Sequence, residues 1–251
     1  MQRRVFLGFI ATVTVGISNT FASSNFQQDN SIWLRDDQKN IFLNVCYKLE
    51  KIKKYVGYAN FNLISFDDAL KVAKRVSKIG AFSKEELDFI EEIFYQDPSF
   101  HGFYGKRICN SLTNKISKKD VYKIPHSGHY LFKGHSKESY ERVIKDVGNS
   151  LILTSGVRNI VKQMNLYFNK IKQCNGNISL ASHSLAPPAY SYHTVGDFDV
   201  GKKGWGYKNF TVSFVRTKEF WRLKKLPYIS MRYTINNKDG VRFEPWHVKI
   251  I

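Results

Sequence analysis

The sequence predicts an α+β fold, a small antiparallel sheet with flanking helices preceded by a helical N-terminal region. Three observations predict it. From about Asn30 to Asn114 apolar residues recur every three to four positions, as at Ile41, Cys46 and Leu49 or at Leu87, Ile90 and Phe94. Beyond about Lys118 short β-like runs appear at 151–154, 210–214, 228–234 and 241–243. Between the first two of these, Ile160, Val161, Met164, Phe168 and Ile171 fall on one helical face.

Along the chain, residues 1–22 read as a signal peptide. Arg3 and Arg4 precede an apolar run from Val5 to about Ile17, and small residues lead to cleavage after about Ala22. The run is shorter than the roughly 20 apolar residues that a bilayer core requires, and the paired arginines also fit a twin-arginine signal. The expected location is therefore periplasmic or secreted.

Residues 23–120 form the expected helical region and 121–251 the expected catalytic domain. Ser65 before Asp68 and Ser83 before Glu86 are helix N-caps with an acidic residue three positions on. The basic run at 51–54 reads as a solvated helix face. Residues 137–147 form a further amphipathic helix, and the Asn, Asp and Gly residues at 236–240 predict a hairpin turn.

Lys and Arg exceed Asp and Glu by 39 to 21, a net charge of +18, and losing Arg3 and Arg4 with the leader leaves +16. Such a chain is drawn to anionic surfaces. An exported protein meets anionic wall polymers and lipid headgroups rather than nucleic acid. Cys46, Cys109 and Cys174 show no CxxC spacing, so they do not read as a zinc site. Export would permit one disulfide, in a pairing the sequence does not give.

Two of the seven histidines have an informative context. His193 lies in SYHTVGDFDVG, where a later aspartate can return to the same side of an extended segment, with Gly196 supplying a bend and Phe198 facing the core. His247 lies in EPWH with Glu244 three positions before it. On a regular strand that spacing puts the pair on opposite faces, so a turn is required, and Pro245 fits one. His, Asp and His offer zinc three ligands and leave a fourth position open, as in a catalytic site. Zinc would acidify a water there, and Glu244 would take its proton. His126 and His129 have chelating spacing but no second ligand pair, so they read as ordinary surface or core residues rather than ligands, with lining of the cleft as the intermediate reading. Trp205 and Trp246 read as packing beside the site.

The pattern Ser191-x-His193-x-x-Gly196, an aspartate, then Glu244-x-Trp246-His247 resembles the zinc D-alanyl-D-alanine carboxypeptidases and dipeptidases of the VanY/VanX type. Their fold is the one shared by lysostaphin, D-Ala-D-Ala peptidases and hedgehog-like proteins. Ser155-Gly156-x-Arg158 resembles an element that precedes the metal site in that family, and the resemblance runs from about Lys123 to Ile251. It implies that His193, Asp199 and His247 bind zinc, that Glu244 is the catalytic base, that Arg158 holds the substrate carbonyl and stabilises the oxyanion, and that Ser191 lies beside the peptide. The family places its aspartate seven residues after the histidine, where this chain has Val200. Either Asp199 at six or Asp197 at four must serve. An aliphatic residue follows Asp199, as in the family, and a loop one residue shorter after Gly196 accounts for the offset; Asp197 would then cap the turn.

The expected function is an exported zinc D,D-carboxypeptidase acting on peptidoglycan stem peptides. An L,D-endopeptidase or D,D-dipeptidase of the same fold is the near alternative. A non-catalytic zinc-containing wall-binding module is the alternative from another class, although it would have no use for Glu244.

Overall fold

The computed structural model describes residues 31–250, so the segment read as a signal peptide lies outside the described residues. Helices form where a cap and an apolar face coincide. The first is α1 (Lys39–Val56), which buries Phe42, Val45, Cys46, Leu49 and Ile52. It is followed by the single turn α2 (Tyr58–Phe61) and by α3 (Phe66–Arg75), whose N-cap Ser65 accepts the Asp68 amide. Then comes α4 (Lys84–Tyr95), started by a full capping box between Ser83 and Glu86. Glu86 also forms an ion pair with Lys48 at 2.5 Å, tying α4 to α1. Among the described residues no helix is long and apolar enough to cross a membrane.

The second half opens with a hairpin, β1 (Val121–Lys123) and β2 (Tyr130–Phe132), followed by α5 (His135–Val147). Next are β3 (Leu151–Ser155), α6 (Ile160–Gln173) and α7 (Ile178–Ser184), then β4 (Phe198–Lys202) and α8 (Lys218–Lys224). The chain closes with β5 (Ser230–Met231) and β6 (His247–Lys249). Strands β3 to β6 form one antiparallel sheet in the order β3-β4-β6-β5.

Several expected strands are absent. The 210–214 run lies in two 3-10 helices, Gly206–Phe210 and Val212–Arg216. The Asn209 side chain takes the Lys202 amide and donates to the Lys202 carbonyl, so a side-chain amide fills the place beside β4 that a strand backbone would occupy. Only Ser230–Met231 of the 228–234 run pairs. Residues 241–243 are irregular, because the Arg242 amide is used by the His183 carbonyl. The 236–240 turn forms, with Asn237 donating to the Thr234 and Val241 carbonyls, but it joins unpaired segments.

Two cores result. Phe198, Val200 and Val248 turn one face of the sheet toward Tyr140, Val143 and Val147 of α5 and Phe220 and Leu223 of α8. The other core joins α1, α3 and α4 to α6 and α7. There Phe168 packs against Phe42 at 5.8 Å and Phe89 at 5.7 Å, so the N-terminal helices and α6 share one interior. All three cysteines are free thiols, with Cys46 and Cys109 buried. Phe168→Ala is expected to lower unfolding stability by about 3–5 kcal/mol, the usual cost of emptying a buried aromatic site. Urea denaturation checks it; a loss below 1 kcal/mol would mean that α6 does not depend on this junction.

Candidate metal centre

The site is a row across the sheet. Ser155 of β3 pairs with Asp199 of β4, and Asp199 pairs with His247 of β6. Because strand side chains alternate, this row stands on the face opposite Phe198 and Val200, away from the α5 and α8 core. A register irregularity between Leu153 and Ser155 ends β3 at this point. The turn that follows brings Arg158 back over the row.

His193 joins the row from a 3-10 turn, Tyr192–Thr194, rather than from the extended segment its spacing suggested. Its Nδ1 donates to the Gly156 carbonyl at 2.9 Å, which leaves Nε2 as the free lone pair, 3.3 Å from Asp199 Oδ2. Gly156 is required there, since a Cβ would fall 2.0 Å from the Tyr130 carbonyl oxygen. Gly196 has φ of 127°, the bend the sequence assigned to it, and its carbonyl accepts from Ser136.

The EPWH segment makes the required turn, with the His247 amide donating to the Glu244 carbonyl at 3.2 Å. His247 Nε2 donates to Asp197 at 3.1 Å, and its Nδ1 lies 3.3 Å from Glu244 Oε2 and 3.6 Å from Asp199 Oδ1. Asp197 is itself clamped, by the Arg232 fork at 2.7 and 3.0 Å and by the Ile250 amide at 3.0 Å. The structure therefore gives the two aspartates different work. Asp199 faces His193 and the Nδ1 of His247, and Asp197 orients His247 from behind.

His193, Asp199 and His247 each offer a ligand atom within 4.8 Å of the others, and all three are buried. The Nε2 of His193 and Oδ1 of Asp199 are buried without a hydrogen-bond partner. His193 Nε2 is 3.3 Å from Asp199 Oδ2 and His247 Nδ1 is 3.6 Å from Asp199 Oδ1, so both imidazoles reach the same carboxylate, close enough for one ion to be shared. Two imidazoles and one carboxylate with a free approach form the donor set of a catalytic zinc site. The Gly156 carbonyl behind His193 and the Asp197 carboxylate behind His247 fix both rings as such a site requires.

Arg158 donates to Asp199 Oδ2 at 2.5 Å and to Ser155 Oγ at 2.8 Å. Burial alone would raise the Asp199 carboxyl, but His193 and Arg158 hold it well below the usual carboxylate range. Burial and the Arg158 charge push His193 down to about 4, so it is neutral and ready to act as a ligand. Burial works against a charged His247, yet its contacts with Asp197 and Glu244 push it up to about 9.

The row opens into a cleft of about 450 Å³, lined by Ser191, Arg158, Glu244 and Trp246 as well as by the trio. Trp246 packs edge-on to Phe210, whereas Trp205 sits under Lys202 and does not line the cleft. His129 is buried against the Tyr58 hydroxyl at 3.3 Å and His126 is exposed; neither joins the trio, and contrary to expectation neither lines the cleft. Sequence reasoning missed Arg232, which the expected 228–234 strand concealed, and Tyr233, whose ring meets His247 edge-on at 5.0 Å. It also missed Lys53 and Lys162 in the cleft wall. Lys162 was within reach of sequence reasoning, since Asn159 caps the helix that starts just after Arg158 and Lys162 lies in its first turn.

Residues 136–251 match the family model of VanY, D-alanyl-D-alanine carboxypeptidase. No curated protein matches the chain. The chain is similar to the LdcB LD-carboxypeptidase, a structure bearing on peptidoglycan recognition, with 19% identity, a TM-score of 0.43, and coverage of 52% of this chain and 63% of that one. For a Zn(II) complex of the vancomycin-resistance D,D-pentapeptidase VanY the values are 18%, 0.40, 52% and 77%. For the D,D-dipeptidase VanXYg with a D-Ala-D-Ala phosphinate analogue they are 18%, 0.46, 64% and 64%. The chain thus spans less than two thirds of the LdcB and VanXYg chains.

In metal-free protein the two imidazoles oppose each other in pH. His247 holds its proton more tightly folded than unfolded, so its contribution is present below about pH 6.5 and fades as pH rises toward about 9. His193 holds its proton less tightly, so its contribution is present above about pH 6.5 and fades toward about 4. Between pH 6.5 and 8, protein stripped with EDTA is expected to lose about 2 kcal/mol through His247. Chemical denaturation of the wild type and of His247→Gln over that window checks it. Parallel slopes in the two proteins would contradict it.

Proposed function

We propose, on the premise that the chain carries a VanY-type domain over residues 136–251, that it is an exported zinc peptidase releasing a terminal D-alanine from peptidoglycan stem peptides. The observation that carries this reading is the buried trio with two unsatisfied ligand atoms and a carboxylate, Glu244, 3.3 Å from its second imidazole. His193 Nε2, an Asp199 oxygen and His247 Nδ1 would hold the ion. Zinc, when bound there, supplies Lewis-acid chemistry, bringing the pKa of a water toward neutrality and polarising the scissile carbonyl.

The chain's own residues do the rest. Glu244 accepts the proton of the attacking water as the C–O bond forms, and then returns it to the nitrogen of the departing amino acid as the C–N bond breaks. Arg158, kept in place by Ser155 and Gln163 (3.4 Å), offers its fork to the carbonyl oxygen as negative charge develops. Ser191 lines the cleft beside the peptide. Asp197 and Arg232 keep the second imidazole in one tautomer. The net charge of +18 favours residence at an anionic wall or membrane surface.

Glu244→Gln is expected to retain zinc and to slow D-Ala release from a pentapeptide muropeptide by about 100-fold or more, while His193→Ala is expected to lose zinc. Metal content by mass spectrometry and released D-Ala by chromatography check the pair. Full turnover by Glu244→Gln would remove the proposed base. Release of the tetrapeptide that begins with D-Glu, or of D-Ala-D-Ala, instead of D-Ala would move the reading to another peptidase of the same type.

A further inference from the structure

The chemistry just described leaves one buried charge unused. Lys162 lies in the first turn of α6, four residues after Arg158, and is 6% exposed. Its ammonium is 4.8 Å from the centre of the Tyr58 ring and 5.9 Å from that of Phe61. Among the described residues its surroundings include no hydrogen bond and no paired carboxylate, with Glu50 acting only at longer range. Burial, with Arg158 and Lys53 nearby, pushes it down to about 8. A cation so placed disfavours the fold unless something compensates it.

The ammonium faces the same cleft as the trio. One side of α6 forms the floor of that cleft through Lys162, Leu166, Asn169 and Gln173, with Arg158 just ahead of the helix. At 1.5 Å per residue the stretch from Lys162 to Gln173 is about 16 Å long, several times the reach of one terminal amino acid. Lys53 of α1 and Tyr58 of α2 form its opposite wall. The basic run at 51–54 is therefore not a uniformly solvated face, since Ile52 enters the core and Lys53 the cleft. The helical N-terminal region thus supplies part of the groove in which a peptide would lie.

We propose that Lys162 is the anchor for a carboxylate of the peptide substrate, seated in a groove whose outer wall is α1 and α2. This rests on the peptidase reading above. Stem peptides offer such a group at the C-terminus, on the γ-linked D-glutamate and on diaminopimelate, and the shared chemistry is a carboxylate entering a low-dielectric wall opposite an ammonium.

The test is calorimetric binding of L-Ala-γ-D-Glu-meso-diaminopimelate-D-Ala-D-Ala, and of its singly amidated forms, to the zinc-loaded full chain carrying Glu244→Gln, with and without Lys162→Met. One amidation is expected to weaken binding by about tenfold, and Lys162→Met to abolish that difference; which amidation does so identifies the carboxylate. Thermal stability of Lys162→Met should hold or rise, because the uncompensated charge is gone. If the parent peptide binds and every amidation effect survives Lys162→Met, the anchor is overturned while the peptidase reading stands. A large loss of stability would assign Lys162 to the fold and also overturn it. If no form of the peptide binds, the peptidase reading falls and the anchor with it.

Discussion

The pairing of Asp199 with His247 across β4 and β6 is the contact on which the rest of the cleft depends. A slip of one residue in that short pairing would send Asp199 into the core behind the sheet and bring Phe198 to the cleft. The register is fixed from both faces. Phe198, Val200 and Val248 are fully buried behind it, and Asp197 at the strand entry is tied to Arg232, His247 and the Ile250 amide in front. Hydrophobic burial chooses the face, and one hydrogen-bonded carboxylate sets the position along it.

That arrangement explains how so much polarity sits in a buried place. Both imidazoles spend one nitrogen on a fixed acceptor, Gly156 for His193 and Asp197 for His247, so the second nitrogen is aimed before any ligand arrives. Such groups destabilise a domain unless partners are supplied. The remaining unsatisfied atoms, His193 Nε2 and Asp199 Oδ1, are the ones a cation would satisfy. The shared core of α1, α4 and α6 bears on this too. Phe42, Phe89 and Phe168 hold α6 firmly, and α6 presents Gln163 and Lys162 to the cleft in register with Arg158.

Much of this was legible in the sequence where local chemistry decides structure. Ser65 and Ser83 mark helix starts because a hydroxyl satisfies an otherwise unpaired amide, and both do so. Strand parity at Glu244 and His247 required a turn, and Pro245 sits in one. Where structure depends on distant partners the sequence was silent or misleading. The 210–214 run has strand-like residues, yet Asn209 takes the hydrogen bonds that a strand would have made with β4. Asp197 could be weighed against Asp199, but its task rests on Arg232, 35 positions away. Lys53 looked like a solvent residue because a helix wheel does not reveal which neighbour approaches its rim.

The central claim is that His193, Asp199 and His247 form one zinc site, entered through Nε2 of the first imidazole and Nδ1 of the second. Anomalous diffraction at the zinc edge, from crystals of the full chain grown with zinc, tests it most directly. A single strong peak within about 2.0–2.2 Å of those two nitrogens and an Asp199 oxygen is the predicted result. Zinc found instead on Asp197 or on an exposed residue such as His126, with the trio empty, would contradict it.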